Sequence, residues 1–191
     1  MRKQWFGDSR DYVKWSCVRA EAGEKFAVVY GPMLRNDSFA GEKLDKTVVD
    51  FFDRHKNFSI LSELFPAGDE YLTDIYERRN STGYFKRLTD LMRKVQERSS
   101  IVVFLDPDTG IEPKKRAGNE HLNHADIRKV CEHLRAGEKL IVYQHASRTK
   151  SWQQIACEKL EPLANTMGTI LSEPFYEETA KDVCFLTFTK R

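Results

Sequence analysis

Apolar residues fall along this chain in short dense runs separated by stretches of helical periodicity. The runs "FAVVYG", "IVVFL", "KLIVYQH" and "DVCFLTFTK" read as strands covered on both faces, since a doubly covered strand shows no polar alternation. Between them the spacing changes. Tyr84, Leu88, Leu91 and Val95 recur at helical steps from Gly83 onward and lead directly into "IVVFL". Ile127, Val130, Cys131 and Leu134 repeat the pattern in "HADIRKVCEHLRAG", where Gly137 is expected to end the helix. Asp8 or Ser9 is placed to cap a first helix running to about Ala22, with Gly23 stopping it. "LDKTVVDFFDRHK" predicts another helix with Val48, Val49, Phe51 and Phe52 on one side, and "TKSWQQIACEKLEPLAN" one with Trp152, Ile155, Ala156 and Leu163 broadly on one face. Residues 57 to 82 are irregular.

Helices alternating with apolar strands imply a parallel sheet, because each parallel crossover must return over a sheet face. The ending differs. "GTILSEPFY" and "DVCFLTFTK" are joined only by the polar "EETAK", too short for a helical crossover, so they should pair antiparallel. The expected fold is α/β: a three-layer, Rossmann-like sandwich whose mostly parallel sheet ends in an antiparallel hairpin. At 191 residues the chain fits one domain, 1–191.

Composition narrows the partners. Lys plus Arg total 31 against 29 Asp plus Glu, so no global field argues for nucleic acid and any basic patch must be local. Two such groups exist: Lys114, Lys115 and Arg116, then Arg148 and Lys150. The opening "MRKQWFGDSRDYVKW" has no apolar signal core, and no apolar run approaches the roughly 18 residues of a membrane span, so a soluble, cytoplasmic protein is expected. Cys17, Cys131, Cys157 and Cys184 are widely spaced within apolar patterns and read as buried thiols rather than a zinc set.

The chemistry concentrates in "FLDPDTGIEP", where an apolar strand releases Asp106 and Asp108. In open α/β sheets ligands bind beyond the carboxyl ends of strands, which is where this pair falls. Turn chemistry accounts for Pro107 and Gly110, but not for two carboxylates whose mutual repulsion raises one pKa unless a cation or donor intervenes. Four chemistries use such a pair. A dehalogenase-type phosphatase needs D-x-D-G-T on the first strand, and here Thr109 and Gly110 are reversed and mid-chain. A Toprim-type magnesium site needs an acid on an earlier strand, which "FAVVYG" lacks. A restriction-type nuclease needs P-D and E-x-K on neighbouring strands, and Pro113 interrupts Glu112-Pro113-Lys114. The fourth is N-methyl transfer to a base through an Asp-Pro-Pro-Tyr type loop, which "FLDP" fits in position.

The N-terminus carries a second motif, "GDSRDYVKW", with Asp8, Asp11 and Lys14 at three-residue spacing on the first helical turns. Together these segments resemble the large-subunit ribosomal RNA adenine N6-methyltransferase family of class I methyltransferases, which opens with G-N-x-x-D-x-x-K-H and carries D-P-P-Y-E after its fourth strand. The combination of G-D-x-x-D-x-x-K, F-L-D-P-D-x-G-I-E and V-Y-Q-H is also similar to a bacterial and phage family of unassigned function. The first resemblance implies S-adenosylmethionine as cofactor, with Gly7, Asp8, Asp11, Gly31 and Pro32 beside it. It implies a nucleobase in nucleic acid as substrate, with Asp106 holding the target amine and Asp108, Lys14 and His145 as further catalytic candidates. Thr109, Gly110, Glu112, Lys115, Gln144 and Arg148 are the candidate substrate contacts. Replacement of Asp106 by Ala is expected to abolish activity at an unchanged melting temperature.

The chain departs from that pattern in three places. Asp108 stands where the family has its second Pro, Thr109 where it has an aromatic, and "VVYGPMLRND" lacks a Gly-rich turn. Two alternatives therefore stand beside methyl transfer. One is a magnesium- or manganese-dependent nuclease or phosphoesterase using Asp8, Asp106 and Asp108, with Asp11, Glu112 and His145 as further donors. The other is a catalytically silent nucleic-acid- or nucleotide-binding protein.

Overall fold

The strands form where the apolar runs are densest. The computed structural model describes residues 9–33, 70–72, 76, 81–112, 118, 121–145, 151, 154, 158 and 160–191. The helix expected over "LDKTVVDFFDRHK" lies outside these residues, as do Trp152, Ile155, Ala156 and Cys157.

Helix α1 (Ser9–Ala22) ends at Gly23, whose φ of 53° suits a residue without a Cβ, and the chain turns into β1 (Phe26–Pro32). Beside it lies the short β2 (Glu70–Tyr71). Helix α2 (Ser81–Gln96) runs into β3 (Ser100–Asp106), and α3 (His124–Glu132) precedes β6 (Lys139–His145). Two-residue strands β4 (Gly110–Ile111) and β5 (His121–Leu122) pair separately, in parallel. Helix α4 (Glu161–Thr166), β7 (Thr169–Leu171) and β8 (Val183–Lys190) complete the described elements.

The main sheet has the order β2-β1-β3-β6-β8-β7. β1, β2, β3 and β6 are mutually parallel, and β8 runs antiparallel to both β6 and β7. The mostly parallel sheet with a late antiparallel strand is thus present as the alternation of elements implied. Each central strand divides its side chains between two cores. Val29, Val103, Leu105 and Val142 meet Phe85 and Leu88 of α2, Ile127 and Val130 of α3, and Leu163 of α4. Val28, Tyr30, Phe104, Tyr143 and Phe185 meet Val13, Cys17 and Val18 of α1. Layers of α1, sheet, and α2 to α4 follow from that division. Cys17, Cys131 and Cys184 are buried free thiols, and burial pushes all three up in pKa.

Two boundaries differ from the sequence reading. Helix α3 stops at Glu132, short of Gly137, and its N-cap is Asn123, whose side chain accepts from the Asp126 N–H. Gly137 (φ 81°) instead donates its N–H to the Lys190 carbonyl at 2.9 Å, tying the entry of β6 to the end of β8. The buried Glu138 explains the early stop: it accepts from the Arg135 N–H, the Ile101 N–H and Gln96 Nε2, so the chain leaves the helix to deliver a fully satisfied carboxylate. "GTILSEPFY" is regular only over Thr169–Leu171, because Pro174 has no N–H to continue a ladder; pairing resumes as one bridge, Phe175 to Phe185. "EETAK" folds as a short 3-10 turn over Glu178–Ala180.

Candidate functional site

The two motifs 92 residues apart meet under α1. Val13 and Cys17 anchor the helix on the sheet, and Lys14 between them turns inward: its Nζ donates to Asp106 Oδ2 at 3.0 Å. The Tyr30 hydroxyl donates to the same oxygen at 2.9 Å. Lys14 is 4% exposed and Asp106 1%, so this is a buried ion pair whose partners must compensate the loss of hydration. An aromatic wall keeps water away. Trp15 sets its edge against Tyr30 and Phe104, those two rings stack at 5.4 Å, and Lys14 Nζ lies 4.7 Å from the Tyr143 ring centroid. One acceptor remains: Asp106 Oδ1 is buried and has no hydrogen-bond partner among the described residues.

From β6, Tyr143 and His145 join the same face, with the Tyr143 hydroxyl 3.0 Å from His145 Nε2. Burial pushes the Tyr143 phenol well above its ordinary value, and the Asp106 charge adds to this against the opposing Lys14. His145 moves in the other direction: burial first, then the Arg10 guanidinium, hold its imidazole below the usual range. Arg10 grips Asp182, with Nη2 at 2.6 Å from Oδ2, and that hydrogen bond keeps the Asp182 carboxyl below the ordinary carboxylate range. It also ties the start of α1 to the residue before β8.

The loop that follows Asp106 is shaped by Gln144. Its Oε1 accepts from the Ile111 N–H at 2.8 Å, while Nε2 donates to the carbonyls of Thr109 and His145 at 3.3 and 2.9 Å. Gly110 is required here: its φ is 113°, and a Cβ would stand 2.5 Å from Gln144 Oε1. Asp108 and Thr109 are half-buried on the outer curve of the loop. Glu112 turns to the N-terminus of α3, where Oε1 accepts from the His124 N–H at 3.1 Å.

The structure therefore brings Lys14, Asp106, Asp108, Thr109, Gly110, Gln144 and His145 to one end of the sheet. Gln144 bonds its amide to the loop backbone, and Glu112 is engaged by α3. Gly31 and Pro32 are taken up by packing. A Cβ on Gly31 would lie 2.9 Å from Leu105 Cδ2, and the Pro32 carbonyl accepts from the Tyr84 hydroxyl at 3.0 Å. Gly7, Asp8, Lys115 and Arg148 lie outside the described residues, as does the side chain of Asp11, whose backbone belongs to α1. Tyr30, Tyr143, Arg10 and Asp182 are site members that the sequence reading missed. Tyr at alternate positions of an apolar strand reads as core; the available signal was that both tyrosines fall at strand ends on one face.

No protein-family model matches the sequence, and no curated protein matches it. Among solved structures the chain is similar to the antibiotic-resistance methyltransferase Kmr, with 9% identity, 93% of each chain covered and a TM-score of 0.42. That likeness is weak, and the fold assignment stands on strand order. In fold the chain is α/β and Rossmann-like, with a six-stranded mixed sheet. No helix among the described residues is long and apolar enough to cross a membrane.

Proposed function

We propose that this chain binds a nucleobase of a nucleic acid on a methyltransferase-like scaffold, with Asp106 Oδ1 accepting from the exocyclic amine of the base. The observation that supports this most is the unused acceptor. A carboxyl oxygen buried without a donor is unfavourable by about 1–3 kcal/mol, and a ligand N–H recovers that energy. Lys14 and Tyr30 both bond Oδ2, which leaves Oδ1 as the oxygen for a ligand.

S-adenosylmethionine is the methyl donor that such a fold implies. The described end of β1 does not fit it well, since Gly31 and Pro32 are covered by Leu105 and Tyr84 and offer no open backbone. The reading therefore rests on base binding. The metal-dependent alternative has less support: Lys14 already supplies the cation facing Asp106, and among the described residues no three His, Cys, Asp or Glu side chains converge.

Calorimetric titration with an unstructured RNA oligonucleotide, and separately with S-adenosylmethionine, tests the proposal. RNA binding that is lost in Asp106→Asn is expected, since the amide retains the shape but not the charge. Metal-free S-adenosylmethionine binding in the same protein would extend the reading to methyl transfer. Wild-type RNA affinity in the Asn variant would sink it.

A further inference from the structure

The polar groups under α1 extend past Asp106 to His145, whose ring nitrogen meets the Tyr143 hydroxyl. Tyr143 has His145 Nε2 as its hydroxyl's partner, 3.0 Å away. Burial keeps the phenol protonated, and among the described residues Nε2 is the one acceptor that its O–H meets, so the hydroxyl is assigned as the donor. A neutral imidazole that accepts at Nε2 carries its proton on Nδ1. That nitrogen makes no hydrogen bond with the described residues, and the ring stands edge-on to Tyr143 with centroids 5.2 Å apart. The backbone holds the residue equally firmly: the His145 N–H donates to the Thr109 carbonyl at 3.1 Å, and its own carbonyl accepts from Gln144 Nε2.

We infer that Tyr143 is a positioning residue which fixes His145 as the Nδ1–H tautomer, so that the site presents a hydrogen-bond donor beside the Asp106 acceptor. Asp106 and His145 lie on adjacent parallel strands, and Tyr143 and His145, two residues apart, share one face. The pair recognises a ligand that carries a donor N–H and a separate lone-pair acceptor on one edge. This deepens the proposed base binding and rests on it for the identity of the ligand. The tautomer itself does not depend on that identity. No proton is transferred; the histidine acts as a neutral donor, and Arg10, Asp182, Lys14 and Asp108 are the charged groups around it.

Nitrogen-15 NMR of histidine-labelled full-length protein at neutral pH reads the tautomer directly. The wild type should show Nδ1 protonated and Nε2 as a bare acceptor. In Tyr143→Phe, which keeps the ring under Lys14 and removes only the hydroxyl, Nε2 should gain a large share of the proton. A wild type with the proton on Nε2, or a Phe variant with an unchanged pattern, overturns the inference. Thermal melting of the Phe variant identifies loss of fold, and if it fails to fold, Tyr143→Leu, which likewise has no donor at that position, is read by the same criterion. Addition of the RNA oligonucleotide should then shift the Nδ1–H signal of the wild type. A correct tautomer with no response to RNA overturns the donor role and the base-binding reading together, while leaving the Tyr143 assignment standing.

Discussion

The carboxylate at the end of β3 is both a candidate ligand-binding group and part of the protein's internal support, and that changes what its replacement should do. From the sequence, Asp106→Ala should leave the melting temperature unchanged. The buried pair with Lys14 makes the opposite outcome the expected one, because removing one partner strands the other charge out of water, at about 3–5 kcal/mol. Lys14→Met should destabilise by a similar amount. The double variant Lys14→Met/Asp106→Asn should recover most of that loss, since no charge remains buried and Tyr30 keeps an acceptor. Urea denaturation of the wild type, Lys14→Met, Asp106→Asn and the double variant measures the cycle, and additive losses would mean that the two residues are not coupled. The sequence supplied Lys14 and Asp106 through their motifs. It did not supply their contact, because nothing local to either residue encodes a partner 92 positions away. Gln144 was legible as a polar residue ending an apolar strand, but its function depends on the loop it clamps. Gly110→Ala tests that clamp: it meets the Gln144 amide and demands a positive φ, and should lower stability by about 1–3 kcal/mol.

Elements carried most of what the sequence could say. The central strands were readable because burial on both faces leaves them continuously apolar, as in "IVVFL", whose residues are all buried in the structure. Their ends were less readable, because caps and turns are settled by distant backbone: Gly137 serves β8 rather than α3, and Pro174 cuts β7 short. Gly31 shows the same limit. The residue invites a ligand-binding interpretation in sequence, yet it lets α2 approach β1, with Tyr84 and Leu88 closing over it. Gly31→Ala should destabilise by about 1 kcal/mol through overpacking, less than Gly110→Ala, because a Leu105 methyl can yield where a bonded amide cannot. Comparing the two variants by thermal melting separates a packing glycine from a conformational one. The hold on α1 is a third case. Arg10→Ala removes an ion pair that is substantially exposed, so global stability should change by no more than about 1 kcal/mol. Hydrogen exchange in the first turn of α1 should nevertheless accelerate, since Asp182 holds that turn to the start of β8.

For the molecule as a whole, the arrangement under α1 sets a dependence of stability on pH. His145 is held below its ordinary value of 6.5 by burial and by Arg10, so the unfolded chain binds that proton more readily than the folded one. The stability from keeping this ring neutral is present in full above about pH 6.5 and is lost as pH falls through the lower folded value. Asp182, depressed chiefly by its bond from Arg10, has its contribution in full above 3.8 and loses it only in stronger acid. Glu70 behaves likewise: burial alone would raise it, but hydrogen bonds from Arg98 and Lys94 outweigh that, and its contribution is full above 4.5. Of these three, His145 alone acts between pH 6.5 and 4.5. Urea midpoints for the wild type should therefore fall between pH 7.5 and 5. His145→Asn, which has no proton to gain in that range, should show a shallower slope, and equal slopes would mean that the ring is already hydrated or charged in the folded protein. Arg10→Ala should make the wild-type slope shallower, because loss of the guanidinium lets the folded His145 value rise toward 6.5, while the larger cause, burial, remains.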